Sequence, residues 1–225
     1  MLVLGNNIDA QIQLINDGVQ VDCVYADCIY ENEDFSWLEL SLKLLKDDGV
    51  IYIQTDHHTD YLYRMTLERL GYNFINEIIY IQEWGGYSKR RFPRKHDTIL
   101  MYSYSNDYMF DADRIRVPKA TKGTAFDKNG KGKIPMDVFY DLGNFSTMSK
   151  ERVKMDGKNI QWQKPLKLMD RLLLPVTNEG DLVLDPFFGS GTTGVWCESN
   201  KRNYIGIEYD NNVMNVAKER LNESN

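Results

Sequence analysis

Between Asp181 and Trp196 the chain reads DLVLDPFFGSGTTGVW. An apolar run from Leu182 to Leu184 meets Asp185, a turn carries Gly189, Ser190 and Gly191, and a helical segment begins near Thr192. Glycines at a junction of this kind let the backbone pass close to a ligand, and N–H groups at a helix start favour an anionic group. The turn does not close on Gly-Lys-Ser/Thr, so it is not a P-loop. The next apolar stretch, NYIGIEYD, delivers Glu208 at its end, where a carboxylate can accept hydrogen bonds from ribose hydroxyls. Strand, glycine turn, helix and acidic strand end in register predict a nucleoside cofactor.

The rest of the chain alternates in the same way. DAQIQLIND reads as a short helix and VDCVYA as a strand. FSWLELSLKLLKDDG reads as a helix stopped by Gly49, and VIYIQT as a β-branched, aromatic-rich strand. HTDYLYRMTLERLGY reads as a helix ending at Gly71, and FINEIIYIQEW and DTILMYSYS as two strands around a basic loop. KPLKLMDRLLLPV and NNVMNVAKERL supply further helices. Such alternation predicts an α/β fold of Rossmann-like type: a mostly parallel sheet with helices on both faces. The first strand ends on Asp27, and the carboxyl edge of a strand is where open α/β sheets keep ligand-binding groups. Residues 106–157 lose periodicity, and KATKGTAFDKNGKGKIP reads as a long loop or small insertion.

A length of 225 residues with 42% hydrophobic and 27% charged residues suits one soluble domain, 1–225, with that insertion inside it. No apolar run reaches bilayer length and MLVLGNNIDA has no cleavable leader pattern, so a cytoplasmic protein with no membrane contact is expected. Cys23, Cys28 and Cys197, with His57, His58 and His96 scattered between them, form no ligand set, and no metal is expected. A net charge of −6 argues against a chain coated for nucleic acid, yet SKRRFPRKH concentrates Lys89, Arg90, Arg91, Arg94 and Lys95. A solvated loop and a phosphate-contacting surface are both open readings of that cluster.

These segments carry a resemblance. LVLDPFFGSGTTG is similar to the cofactor loop of the S-adenosylmethionine-dependent DNA amino-methyltransferases, the N6-adenine and N4-cytosine family. QKPLKLMDRLL resembles the helix before that loop, RNYIGIEYD the strand after it, and LLKDDGVIYI the segment that follows the catalytic motif. FPRKHDTILMYS resembles the strand before the target-recognition insertion, and VDCVYADCIY stands where the family has its D-P-P-Y motif. With the catalytic motif first and the cofactor loop last, the order is the circularly permuted β-type.

The resemblance implies transfer of a methyl group from S-adenosylmethionine to the exocyclic amine of a flipped DNA base. Asp27 would accept from the amine, with a backbone carbonyl of Cys28 or Ile29, and Tyr30 would stack on the base. Asp185, Phe187, Gly189, Ser190, Gly191 and Thr192 would contact the cofactor's methionine and adenosine, Glu208 its ribose, and Lys164 and Pro165 its methionine end. Asn6 stands where relatives often carry an aspartate near the adenine. Two prolines of D-P-P-Y are Cys28 and Ile29 here, which removes a fixed φ but not the carbonyl. Asp27 favours adenine over cytosine, whose modifiers more often place serine there. A catalytically weak or inactive cofactor-binding subunit of a DNA methyltransferase assembly, and a small-molecule or RNA methyltransferase on the same fold, are alternatives. Residues 106–157 are short for sequence reading, so a homodimer or partner subunit on DNA is expected.

Overall fold

The strand β2 (Val21–Asp27) shows how this sequence builds a sheet covered on both sides. Cys23 and Tyr25 join one buried cluster while Val24 and Ala26 join the other. In β3 (Leu45–Thr55), Val50 and Tyr52 point one way and Ile51 and Ile53 the other. Strands buried on both faces read as continuous apolar runs, because neither face can be polar. The structure, a computed structural model, describes residues 1–28, 34–82, 86–119, 130–143, 145–146, 148–160 and 162–224.

The remaining main strands are β1 (Leu2–Leu4), β4 (Asn73–Ile81), β5 (His96–Ser103), β6 (Val138–Phe139), β9 (Leu182–Asp185) and β10 (Asn203–Glu208). They form an eight-stranded sheet in the order β1-β10-β9-β2-β3-β5-β4-β6. The late strands β9 and β10 fill the gap between β1 and β2, so the chain's last third completes the middle of the sheet. From β1 to β3 every pairing is parallel, whereas β5 runs antiparallel to both β3 and β4. The mostly parallel α/β sheet expected from the sequence is the observed architecture, with β5 as its antiparallel member.

Helices α1 (Asn7–Asn16), α2 (Ser36–Leu44) and α3 (Asp60–Arg69) cover one face through Leu14, Trp37, Leu38, Tyr63 and Leu67. Helices α4 (Leu166–Leu173) and α5 (Thr192–Ser199) cover the other through Leu168, Leu172, Trp196 and Cys197, and α6 (Asn211–Ser224) packs beside α5. No helix among the described residues is long and apolar enough to cross a membrane.

Two sequence expectations change and one strand is added. The helix read to Gly49 ends at Leu44; Leu45 already pairs with Val21, and β3 bulges before Val50 pairs with Cys23. Gly49 serves a close approach instead: a Cβ there would lie 2.9 Å from the Asp22 carbonyl. The strand β1 was not anticipated, since three residues are too few to show a period. The 106–157 segment holds more than loop: a 3₁₀ turn at Ala112–Ile115, β6 on the sheet edge, and β7 (Lys154–Met155), which forms a small hairpin with β8 (Lys158–Asn159) just beyond it. Most of KATKGTAFDKNGKGKIP, and the Glu83-Trp84 end of the strand read as FINEIIYIQEW, lie outside the described residues.

Candidate active site

Because β1, β10, β9, β2 and β3 all run parallel, their carboxyl ends meet at one edge, where a ligand crevice forms in open α/β sheets. A cleft of about 820 Å³ lies there, a size suited to a nucleoside-sized ligand. It is lined by Asn6, Asp27, Cys28, Lys164, Asp185, Phe187, Gly189, Ser190, Thr192 and Glu208, ten of the residues singled out in the sequence.

The glycine turn is built around one buried ring. Phe188 stacks on Tyr204 at 5.8 Å and fills a slot that only glycine permits: a Cβ on Gly206 would come within 2.2 Å of the ring, and one on Gly194 within 2.6 Å. Gly189 and Gly191 have φ of 54° and 78°, the left-handed region glycine adopts freely. Gly191 does not line the cleft; it caps α5 against Ala217. Phe187 turns the other way, into the cleft, and meets Trp37 edge to face at 5.0 Å.

Side chains from distant elements hold this turn. Glu208 accepts from Gly189 N and Asp210 N, both at 2.9 Å. Arg220 of α6, buried and with its pKa lowered by that burial, donates to the Ser190 carbonyl at 3.2 Å and to Thr192 Oγ1 at 2.9 Å. Thr192 in turn donates to the Lys164 carbonyl at 3.1 Å. Asp185, 3% exposed, accepts from Thr193 Oγ1 at 2.6 Å and Phe187 N at 3.0 Å. Burial pushes its carboxyl up to about 7; these two hydrogen bonds oppose that, and the charges of Asp27 and Glu208 add to it.

Asp27 projects from the end of β2 on the face covered by α4. Lys164, just before α4, reaches it with Nζ at 2.5 Å from Oδ2. Burial raises the Asp27 pKa, the Lys164 charge and hydrogen bond lower it, and Asp97 raises it again. Pro165 stands at the N-cap of α4 and does not line the cleft. Cys28 extends the β2–β3 ladder by one bond, its N–H donating to the Gln54 carbonyl at 3.1 Å. Proline has no N–H, so at this position a ladder bond replaces ring rigidity in fixing the chain. The Cys28 thiol is buried beside the Tyr63 hydroxyl, and burial drives its pKa far up, so it is not a nucleophile. Ile29 and Tyr30 lie outside the described residues. Asn6 caps α1, its Oδ1 accepting from Ile8 N at 2.8 Å, which leaves its amide nitrogen for a ligand.

The basic loop hangs over the same edge, because the amino end of β5 pairs with the carboxyl end of β3, Thr98 opposite Thr55. Lys89, Arg90, Arg91 and Arg94 are exposed and Lys95 half-buried, while Tyr87 and Phe92 stand 84% and 97% exposed among them. Arg94 donates to Asp56 at 2.7 Å and lies 3.2 Å from His57 Nδ1. Asp56, His57 and His58 bring potential metal ligands together, and the Arg94 guanidinium sits on two of the three. Burial pushes the Asp56 carboxyl up, but hydrogen bonds from His58 and Arg94 prevail and hold it at about 2.

Sequence reading missed Arg220, Trp37, Thr193 and Trp162, whose indole lies 3.7 Å from where a Gly189 side chain would begin. Their roles depend on packing between elements, and no local pattern marks them.

The chain matches the DNA methylase family of N6 and N4 type over residues 29–219. It is 35% identical over 187 residues to the type II methyltransferase M.HpaI of Haemophilus parainfluenzae, covering 82% of this chain and 57% of that protein. With the type II methyltransferase M2.DpnII of Streptococcus pneumoniae it shares 30% over 203 residues, 87% of this chain and 69% of the relative. The chain thus spans a little over half of the first relative's length. In structure it is similar to the M1.HpyAVI–SAM complex, with a TM-score of 0.72 at 23% identity, covering 98% of this chain and all of the other. The cytosine-N4-specific PvuII DNA methyltransferase gives a TM-score of 0.72 at 17% identity, covering 97% and 85%. At such identities the two structures speak for the fold alone. The sequence matches go further: this chain belongs to the N6/N4 DNA methylase family.

Proposed function

We propose that this chain transfers a methyl group from S-adenosylmethionine to the exocyclic amine of a DNA base, with adenine N6 as the acceptor. The observation that carries the reading is the meeting of Asp27 with Asp185, Glu208 and the glycine turn in one cleft. The residues fit such a cofactor. Asp185 and Glu208 are acceptors for ammonium and hydroxyl groups, Lys164 is a cation for a carboxylate, and Phe187 and Trp162 offer aromatic surface for an adenine. When bound, the cofactor supplies a sulfonium-activated methyl group with a neutral thioether as leaving group.

The chain's own work is to prepare the amine. Its lone pair is delocalised into the base, and hydrogen bonds from its N–H groups to Asp27 and to a carbonyl after it draw the nitrogen towards a tetrahedral shape. With the cofactor's methyl group apposed, the lone pair would form the new N–C bond as the C–S bond breaks, and Asp27 would accept the proton that the nitrogen sheds. Apposition supplies much of the rate. An amine inside a duplex is out of reach, so the base must leave the stack, and the basic loop on the same edge would hold the backbone while it does. A second copy or a partner subunit would extend that contact surface.

Incubation with tritiated S-adenosylmethionine and, in parallel reactions, unmodified duplex DNA and RNA, then digestion to nucleosides, tests the proposal. Label in N6-methyldeoxyadenosine is expected. Label in N4-methylcytosine would move the acceptor, label only in RNA would change the polymer, and none in either would support a silent subunit of a larger methyltransferase.

A further inference from the structure

Six charged side chains among the described residues line the cleft: Asp27, Asp34, Asp185, Glu208, Asp210 and Lys164. Five are acidic, and the one cation is committed to Asp27. The pair is well shielded, with 11% of the Lys164 side chain and 19% of the Asp27 side chain exposed. A shielded pair is screened little by salt, and neither member can be left alone cheaply. A ligand amine that must donate to Asp27 therefore meets a carboxylate already capped. A ligand carboxylate entering the other half of the cleft finds the cleft's lysine engaged.

We infer that Lys164 is a positioning residue that changes partners, leaving Asp27 for the carboxylate of the incoming cofactor and so uncovering Asp27 for the target amine. The inference rests on the proposed function, because it takes the cofactor's amino-acid carboxylate as the competing anion. The backbone is built for such an exchange. The Lys164 carbonyl is held by Thr192 Oγ1 at 3.1 Å, and Pro165 follows at the head of α4. The Cα is thus pinned to the glycine turn, and only the four-carbon stem has to swing, with the Trp162 carbonyl, 3.4 Å from Nζ, as a second acceptor beside the pair. The consequence is order: cofactor binding precedes productive binding of the base, and each raises the affinity for the other.

The test is a double-mutant cycle read by titration calorimetry on the whole chain, without DNA. Two probes are used. S-adenosylhomocysteine carries the amino-acid carboxylate, and 5′-methylthioadenosine keeps the nucleoside and thioether but lacks it. In the wild type, part of the carboxylate's binding energy goes into separating Lys164 from Asp27. Asp27→Asn should therefore bind S-adenosylhomocysteine more tightly, by about tenfold, and Lys164→Met more weakly. In a Lys164→Met background, Asp27→Asn should change nothing, and methylthioadenosine should be indifferent throughout. Lys164→Gln repeats the cycle if the methionine variant does not fold. Unchanged or weaker binding by Asp27→Asn overturns the exchange, as does an equal gain for methylthioadenosine, which would mean general relief of negative charge. Binding of neither probe by the wild type would instead remove the cofactor assignment, and the exchange with it.

Discussion

If Asp185 receives the cofactor's ammonium group, as the proposed function has it, cofactor binding depends on pH in a direction set by the carboxyl's surroundings. Its carboxyl lines the cleft, is 3% exposed, and is pushed up to about 7 by burial against the opposition of Thr193 and Phe187. A ligand ammonium prefers the ionised form, so binding is coupled to loss of one proton. With a pKa of about 7 the ionised fraction is about one in eleven at pH 6 and about ten in eleven at pH 8, so affinity for S-adenosylhomocysteine should rise about tenfold between them. The slope should be steepest below pH 7 and flatten above it. Stability of the empty protein should move the other way. A carboxyl whose folded pKa lies above its unfolded value near 3.9 holds its proton longer in the native state, so its contribution is full below about pH 4 and is lost as pH rises to about 7. Asp185→Asn removes both effects: calorimetric titrations at several pH values should give a flat affinity profile, and its melting temperature should gain on the wild type at pH 8. A wild-type affinity that does not change from pH 6 to 8, or a variant that keeps the wild-type slope, refutes the reasoning.

Two further outcomes follow from other parts of the molecule. If the exposed guanidinium groups of Arg90 and Arg91 meet DNA phosphates, replacing either by alanine should lower affinity alike on all sequences. Each should reduce the slope of log K against log salt by about one, measured by fluorescence anisotropy; an unchanged slope would return the loop to solvent. In β10, beneath the glycine turn, Gly206→Ala would place a methyl group 2.2 Å from the Phe188 ring. The cost should be about 2 kcal/mol or more and the melting temperature should fall by about 5 °C, with Phe188→Leu restoring part of it; no change would mean that the slot can open.

Much of the fold was legible because β2, β3, β9 and β10 are short apolar runs bounded by turns and helical periods, and local chemistry marks both. The end of α2 was not, since Leu44 and Leu45 suit a helix and a strand equally, and pairing of Leu45 with Val21 decides between them. The antiparallel course of β5 depends on which neighbour it joins, a choice made by packing. Within the site, residues on strand ends announced themselves: Asp27, Asp185 and Glu208 each stop an apolar run. Glycine spacing said less, since Gly189, Gly191 and Gly194 stand at the G-x-G-x-x-G interval of dinucleotide loops, and Gly194 here makes room for Phe188 instead. Arg220 reads as a solvated residue of a last helix, and only the fold carries it to Ser190 and Thr192. Lys164 and Asp27 lie 137 residues apart, and no local pattern pairs them.

The account turns on Asp27 as the acceptor of the target amine. The most direct measurement is the single-turnover rate of methyl transfer by Asp27→Ala on unmodified duplex DNA, at cofactor concentrations that saturate the variant. A carboxylate that polarises the reacting nitrogen should, when removed, cost about 10²-fold or more in rate, while the cofactor still binds. A variant that methylates at the wild-type rate would contradict the account and move the chemistry to another group in the cleft.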